Sequence, residues 1–142
     1  MYYLFHANIF ARPSHAADGE PVELRTLQLP TLRAQPFSAY FPVTFEQAIA
    51  ALAQLPRLDA EPDGFFVIAG ESDGQRWQVD GHLYDFHVRL HRVELHGQCP
   101  PAAFDAILAC LGWPRTPLAF ELVMEGVALD ESAFRAWAIA VQ

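Results

Sequence analysis

The chain has 142 residues, of which 52% are apolar and 18% charged. This predicts a single packed domain over 1–142 and excludes an intrinsically disordered chain. The net charge is −8, all nine basic residues are Arg, and no basic stripe is present, so we expect neither a nucleic acid nor an anionic membrane as partner. No apolar run reaches the roughly 18 residues of a membrane span.

Two compositional features predict source and compartment. Arg replaces Lys throughout and Ala occurs 22 times, which is typical of a GC-rich bacterial genome. Cys99 and Cys110 bracket a predicted helix and lie too far apart for a disulfide. Unpaired cysteines favour the reducing cytoplasm.

The first third of the chain predicts one clear strand and a long irregular segment. Aromatic and β-branched residues over 1–10 predict a strand that ends before Pro13. The segment 12–43 is rich in Pro and is predicted to wrap the domain irregularly. Within it, a short strand at 22–29 is indicated, although its alternation slips between Leu24 and Leu27.

The first helix is predicted over 45–55. Thr44 and Gln47 have the spacing of a capping box, in which each side chain bonds the other residue's backbone. Apolar residues then follow at helical spacing, and Pro56 ends the helix.

A meander of strands is predicted over 57–97. The sequence Glu61-Pro62-Asp63-Gly64 is typical of a type I turn. Apolar and polar residues alternate after Trp77, which indicates a half-buried strand. The apolar phase changes by one residue after Leu90, and this predicts a β-bulge near His91-Arg92.

The last third predicts two more helices separated by a strand at 118–124. One helix, 101–111, begins at two prolines and ends at Gly112; the other, 131–140, is capped by Asp130. The predicted fold is therefore a two-layer α+β sandwich. A mostly antiparallel sheet of five to six strands would carry all three helices on one face.

The densest polar feature lies within the meander, in the predicted hairpin 77–97. If Phe86-His87 forms the turn, His82 lies directly opposite His91, with Cβ atoms about 5 Å apart. A nearby Glu94 or His96 would then complete a divalent metal site. The alternative is a solvated sheet face that happens to carry histidines, because no metal-binding spacing such as H-E-x-x-H is present.

A cysteine–histidine pair is a second candidate for chemistry. Cys99 precedes a predicted helix, whose N-terminus lowers the pKa of a thiol, and His96 is three residues upstream. Extended residues three apart point to opposite faces, so the alternative is a small residue filling a strand-to-helix junction.

The sequence carries no nucleotide-binding or hydrolase motif. The leading hypothesis is a non-catalytic binding or regulatory module that works by protein contact, including contact with a second copy, without a cofactor. A metal-binding protein or metal-dependent enzyme is the alternative, and a small-molecule pocket beside 30–43 is a third. Aromatic residues supply the candidate contact surface: Phe37, Tyr40, Trp113 and Trp137.

Overall fold

A computed structural model describes residues 1–14, 16–33 and 39–139 of the chain. Its strands are β1 (Tyr3–Ala11), β2 (Ala17–Asp18), β3 (Val22–Leu24), β4 (Leu27–Leu29), β5 (Leu32–Arg33), β6 (Leu58–Ala60), β7 (Phe65–Ser72), β8 (Gln75–Phe86), β9 (Arg89–Cys99), β10 (Leu118–Leu122) and β11 (Ala128–Leu129). Its helices are α1 (Phe45–Leu52), α2 (Pro101–Ala109) and α3 (Glu131–Ala138).

Nine strands form one antiparallel sheet in the order β2-β5-β11-β10-β1-β9-β8-β7-β6, and β3 with β4 forms a separate hairpin. The predicted α+β class and the meander β6 to β9 are confirmed. The prediction of five to six strands is wrong. The additional strands β2, β5 and β11 have two residues each, and an alternating pattern needs at least four residues to be recognised.

The three helices lie on one face of the sheet and share one core with it. Phe134 of α3 stacks on Phe120 of β10 with ring centroids 4.4 Å apart, and on Phe104 of α2 at 5.4 Å. Phe104 in turn meets Phe5 of β1 edge-on at 5.1 Å. No helix in the described ranges has the length and apolar character needed to cross a bilayer.

The local signals of the first helix are confirmed. The Gln47 amide donates to Thr44 Oγ1 at 3.1 Å, and the Thr44 amide donates to Gln47 Oε1 at 2.9 Å. This reciprocal capping satisfies two backbone donors that the helix itself cannot satisfy. α2 and α3 end two residues before their predicted ends, and α1 ends three residues before its predicted end.

The predicted single strand at 22–29 is instead the hairpin of β3 and β4. Arg25 and Thr26 form its two-residue turn, with φ angles of 49° and 66°. This turn explains the slip of the alternating pattern between Leu24 and Leu27. The hairpin is held to α3 by Arg25, whose guanidinium lies 3.9 Å from the Trp137 ring centre.

Candidate functional site: the open face of the sheet

The face of the central strands that points away from the helices carries polar side chains. Alternation along each strand produces this face: Val79 and Leu83 of β8 point to the core, and so do Val93 and Leu95 of β9. The residues between them point the other way. We call the resulting surface the open face, and it consists of His6, Asn8, Asp80, His82, Tyr84, Arg92, Glu94, His96 and Glu121.

The β8–β9 hairpin confirms the predicted bulge but not the predicted turn. Tyr84 pairs with Arg92 and the next residue pairs with Leu90, so His91 is the extra residue. The turn is made by 87–88, with φ angles of 52° and 71°, and not by 86–87. Such a two-residue turn with both φ angles positive matches the twist of the flanking strands.

The shifted turn and the bulge together move the partner of His82 along β9 by three residues, from His91 to Glu94. His82 therefore lies opposite Glu94, and Asp80 lies opposite His96. The predicted pairing of His82 with His91 is wrong. Because a side chain returns to the same face only every two residues, this odd shift removes His91 from the face and places Glu94 opposite His82.

Three of the four predicted metal ligands are brought together. His82, Glu94 and His96 line one small pocket of about 180 Å³ on the open face. His91 lies elsewhere, with its ring 5.9 Å from the ring of Tyr40. Burial and the nearby positive charge of Arg92 lower the pKa of His91.

Glu94 is the centre of a hydrogen-bond network that spans three strands. Its Oε2 accepts a hydrogen bond from Nε2 of His6 at 2.8 Å, and its Oε1 accepts one from the Tyr84 hydroxyl at 3.2 Å. The bond from His6 is the main cause that lowers the pKa of Glu94, with smaller contributions from Tyr84 and the charge of Arg92 and an opposing one from burial. The carboxylate is therefore ionised at neutral pH.

Arg92 extends the network to the next two strands. Its guanidinium lies over the Tyr84 ring, 3.8 Å from the centroid, and its Nη1 donates to Asn8 Oδ1 at 2.8 Å. Asn8 Nδ2 donates to Glu121 Oε1 at 3.2 Å. Side chains from β8, β9, β1 and β10 thus fix one another's orientation across the middle of the sheet.

The histidine rings of the open face stack, and they do not converge on a common point. His6 and His96 lie 4.1 Å apart and 13° from parallel, and His82 and Tyr84 lie 4.3 Å apart and 14° from parallel. A ring nitrogen binds a metal in the plane of its ring, so two stacked rings direct their nitrogens along separate lines. Among the described residues, no group of three or more His, Cys, Asp or Glu side chains is arranged to hold a metal ion.

His6, Asn8 and Glu121 belong to the site although the sequence did not single them out. His6 is 88 residues from Glu94 along the chain. The alternating pattern shows that β1 has a polar face, but it cannot show which strands lie beside it. A histidine and an asparagine at alternate positions of an otherwise apolar strand were the available signal.

The predicted contact residues have different environments. Tyr40 is half-buried, with the Arg89 guanidinium 4.1 Å from its ring centroid. Trp113 is half-buried, and its Nε1 donates to Glu131 Oε1 at 2.7 Å. Trp137 is only 2% exposed and is a core residue, so it offers no surface to a partner. Phe37 lies outside the described residues.

Cys99 is unsuited to nucleophilic catalysis. It lies in the core beneath α2 and is fully buried, whereas His96 is on the open face. Burial, assisted by the negative charge of Asp105, raises the pKa of the Cys99 thiol to about 12. The expectation that the helix N-terminus lowers this pKa is wrong, because the desolvation of a buried thiolate outweighs it.

Comparisons with known proteins do not indicate a function for this chain. No protein-family model matches the chain, and neither the curated proteins nor the solved structures gave a match. The open face offers oriented hydrogen-bond donors and acceptors from its imidazoles, carboxylates, guanidinium and phenol. The residues that make up the open face include no Ser, Thr or Cys.

Proposed function

We propose that the protein is a non-catalytic binding module that holds a partner protein against the open face of its sheet. The observation that carries this proposal is the oriented network around Glu94 and Arg92. The side chains of His6 and Glu94 remain 24% and 33% exposed, so the network is reachable as well as ordered. Groups that are already fixed lose little conformational entropy on binding.

The composition of this surface supports a protein partner over a small molecule. Leu4 and Phe65 continue the open face at its margins and are 40% and 37% exposed. Apolar margins beside Tyr and Arg are typical of protein interfaces.

The charge of the open face favours a basic partner surface. It carries three carboxylates, on Asp80, Glu94 and Glu121, against the single guanidinium of Arg92. The whole chain, including this face, has a net charge of −8. Complementary charge speeds association and excludes partners of the same sign.

A photo-crosslinking experiment tests the proposal. A benzophenone amino acid replaces Phe65 on the open face, and in a matched control it replaces Glu46, which is exposed on α1. Both chains are expressed in cells of the source organism. We expect a discrete crosslinked protein from position 65 only, and less of it when Arg92→Ala is added. Identical products from both positions, or none from position 65, would contradict the proposal.

Self-association is the simplest form of this function, since a second copy is a protein partner. Native mass spectrometry of the tag-free chain distinguishes the two forms. A dimer that Arg92→Ala dissociates would identify the partner as a second copy. A monomer that still forms the position 65 crosslink would identify a different protein.

The metal-binding alternative stays a prediction. It retains His82 and His96 as ligands in the small pocket. Both oxygens of Glu94 already accept hydrogen bonds, so metal binding there requires the network to rearrange. The geometry therefore favours recognition of a partner over metal chemistry.

We also infer a cytoplasmic, bacterial protein. Both cysteines are free, as expected in a reducing compartment, and the Arg- and Ala-rich composition supports the source. Fractionation of cells that produce the tagged chain tests the compartment, and recovery in the secreted fraction would refute it.

A further inference from the structure

A cleft of about 550 Å³ lies on the helix side of the sheet, which is the side opposite the open face. It lies between α2, the chain that follows α1, and the adjoining ends of β7 and β8. Its apolar walls are Leu55, Ile68, Trp77, Ala103 and Ala106. Small-molecule sites usually enclose about 300–1,000 Å³, so the cleft has the size of such a site.

Small side chains create the space in this cleft. Trp77 pairs with Gly70 of β7, where a Cβ atom would clash with the indole, so the ring lies directly against the strand backbone. On the neighbouring helix, Ala103 and Ala106 are three residues apart and therefore share one face. An indole bordered by glycine and alanines leaves room for a second ring to pack against it.

Trp77 also carries a polar group that lacks a partner. Its Nε1 is buried, and no described residue accepts a hydrogen bond from it. A buried donor without an acceptor is unfavourable. A tilt of the ring towards the cleft would let a ligand oxygen accept this bond.

Charges of both signs lie at the rim of the cleft. Arg57, Glu71 and Asp73 line it, are exposed, and form no ion pair with any described residue. The Ala69 amide donates to the Arg57 carbonyl at 3.3 Å, which holds Arg57 beside β7. Asp73 belongs to the two-residue turn between β7 and β8, with a φ angle of 53°. A ligand with one positive and one negative group would complement this rim, whereas a simple anion or cation would also meet a charge of its own sign.

We propose that the cleft binds a free aromatic amino acid. The ring of the ligand packs against Trp77 beside α2. Its carboxylate accepts hydrogen bonds from Arg57, and its ammonium group donates to Glu71 and Asp73. The site lies on the other side of the sheet from the open face, so the inference goes beyond the proposed function and does not depend on it.

Titration of the full chain with L-phenylalanine, followed by proton–nitrogen correlation NMR, tests the proposal. The three tryptophans give separate indole signals, and Trp77→Phe identifies the signal of Trp77. We expect this signal to shift saturably, with a Kd of about 1 mM or below. The signal of Trp137, which is 2% exposed in the core, should not move.

Analogues paired with variants test the rim charges. Phenylalaninamide lacks the carboxylate, and phenylpropionate lacks the ammonium group. Arg57→Gln should weaken the binding of L-phenylalanine about threefold, the scale of an exposed ion pair, but not that of phenylalaninamide. Glu71→Gln combined with Asp73→Asn should weaken the binding of L-phenylalanine by a similar factor, but not that of phenylpropionate. Arg115→Gln, at an exposed site outside the cleft, is the matched control and should bind every ligand as the parent does.

A variant that fills the cleft tests the location. Ala106→Leu places a larger side chain in the cleft and should weaken the binding of L-phenylalanine at least tenfold. Ala109→Leu makes the same change at an exposed position of α2 outside the cleft, and this control should bind as the parent does. Leucine favours a helix nearly as well as alanine. If Ala106→Leu does not fold by circular dichroism, the charge variants decide.

Three outcomes would overturn the inference. They are the absence of a saturable shift with L-phenylalanine, equal binding by Ala106→Leu and Ala109→Leu, and equal binding of L-phenylalanine, phenylalaninamide and phenylpropionate. The last result would show an apolar site that does not recognise an amino acid. The photo-crosslink at position 65 reports on the opposite side of the sheet, so its success or failure is independent of this titration.

Discussion

Replacing Glu94 by Gln tests the network at the centre of the open face. The substitution keeps the shape of the side chain but removes the charge that His6 and Tyr84 bond. Hydrogen bonds to a buried charged group contribute about 1.5–3 kcal/mol. Since the Glu94 side chain is 33% exposed, solvent screening reduces this, and we expect the free energy of unfolding to fall by about 1 kcal/mol at pH 7.

The pH dependence of this difference follows from the lowered pKa of Glu94. Below its ordinary value of about 4.3, the unfolded chain takes up a proton before the folded chain does. The stabilisation is therefore complete above pH 5 and is lost as the pH falls through the lower, folded-state pKa. We expect parent and Glu94→Gln to differ at pH 7, and we expect the difference to shrink as the pH falls below the ordinary pKa of a glutamate, about 4.3.

Urea unfolding followed by circular dichroism measures this effect. With a slope of about 2 kcal/mol per molar urea, the midpoint at pH 7 should fall by about 0.5 M. Glu121→Gln is the matched control: it lies on the same face but accepts one bond, from the neutral amide of Asn8 at 3.2 Å, so its effect should stay below about 0.5 kcal/mol. A difference that is absent at pH 7, or constant from pH 7 to pH 3, would refute the reasoning.

Three further predictions concern the core, the thiols and metal. Phe134→Ala should lower the free energy of unfolding by about 3–5 kcal/mol in urea melts, because the ring is fully buried and stacks on Phe120; a loss under about 1 kcal/mol would contradict the stacked core. Cys99 should not react with a thiol reagent at pH 8 until the chain unfolds, since its pKa is about 12, and labelling of both cysteines in the folded protein within minutes would be inconsistent with this. Native mass spectra before and after chelation should be identical, whereas a metal mass lost on chelation and in His82→Ala would establish the metal alternative.

The hairpin of β8 and β9 shows what a sequence pattern can predict. The phase change after Leu90 was sufficient to place the bulge within His91-Arg92, and the structure shows that His91 is the extra residue. The predicted turn was wrong by one residue. Two-residue hairpin turns are normally marked by pairs such as Asn-Gly, and neither Phe86-His87 nor His87-Val88 resembles such a pair, so the sequence did not distinguish between the two positions. Glu94 and His96 lie on the same face as His82, as predicted, but His91 does not, because the partner of His82 moved by an odd number of residues.

The rest of the site depends on contacts between distant parts of the chain. The partners of His6, Glu94 and His96, both lie on β9, about 90 residues later, and no local sequence pattern predicts which strand pairs with β1. Trp137 is a similar case. The amphipathic pattern of its helix predicts that the side chain packs against an apolar surface, but it does not say whether that surface belongs to a partner or to the same chain. The structure shows that it is the core of the same chain.

The central position of β1 has a consequence for synthesis. Strand β1 leaves the ribosome well before the strands that it pairs with, β9 and β10, at 93–99 and 118–122. At about 5–20 residues per second, roughly 5–20 s pass before both neighbours exist. Throughout that time an apolar strand is without a partner in the nascent chain, while the meander of β6 to β9 can already close locally. We therefore expect soluble yield to depend on translation speed and on chaperones that bind emerging apolar segments, and to fall under heat stress long before the finished protein unfolds.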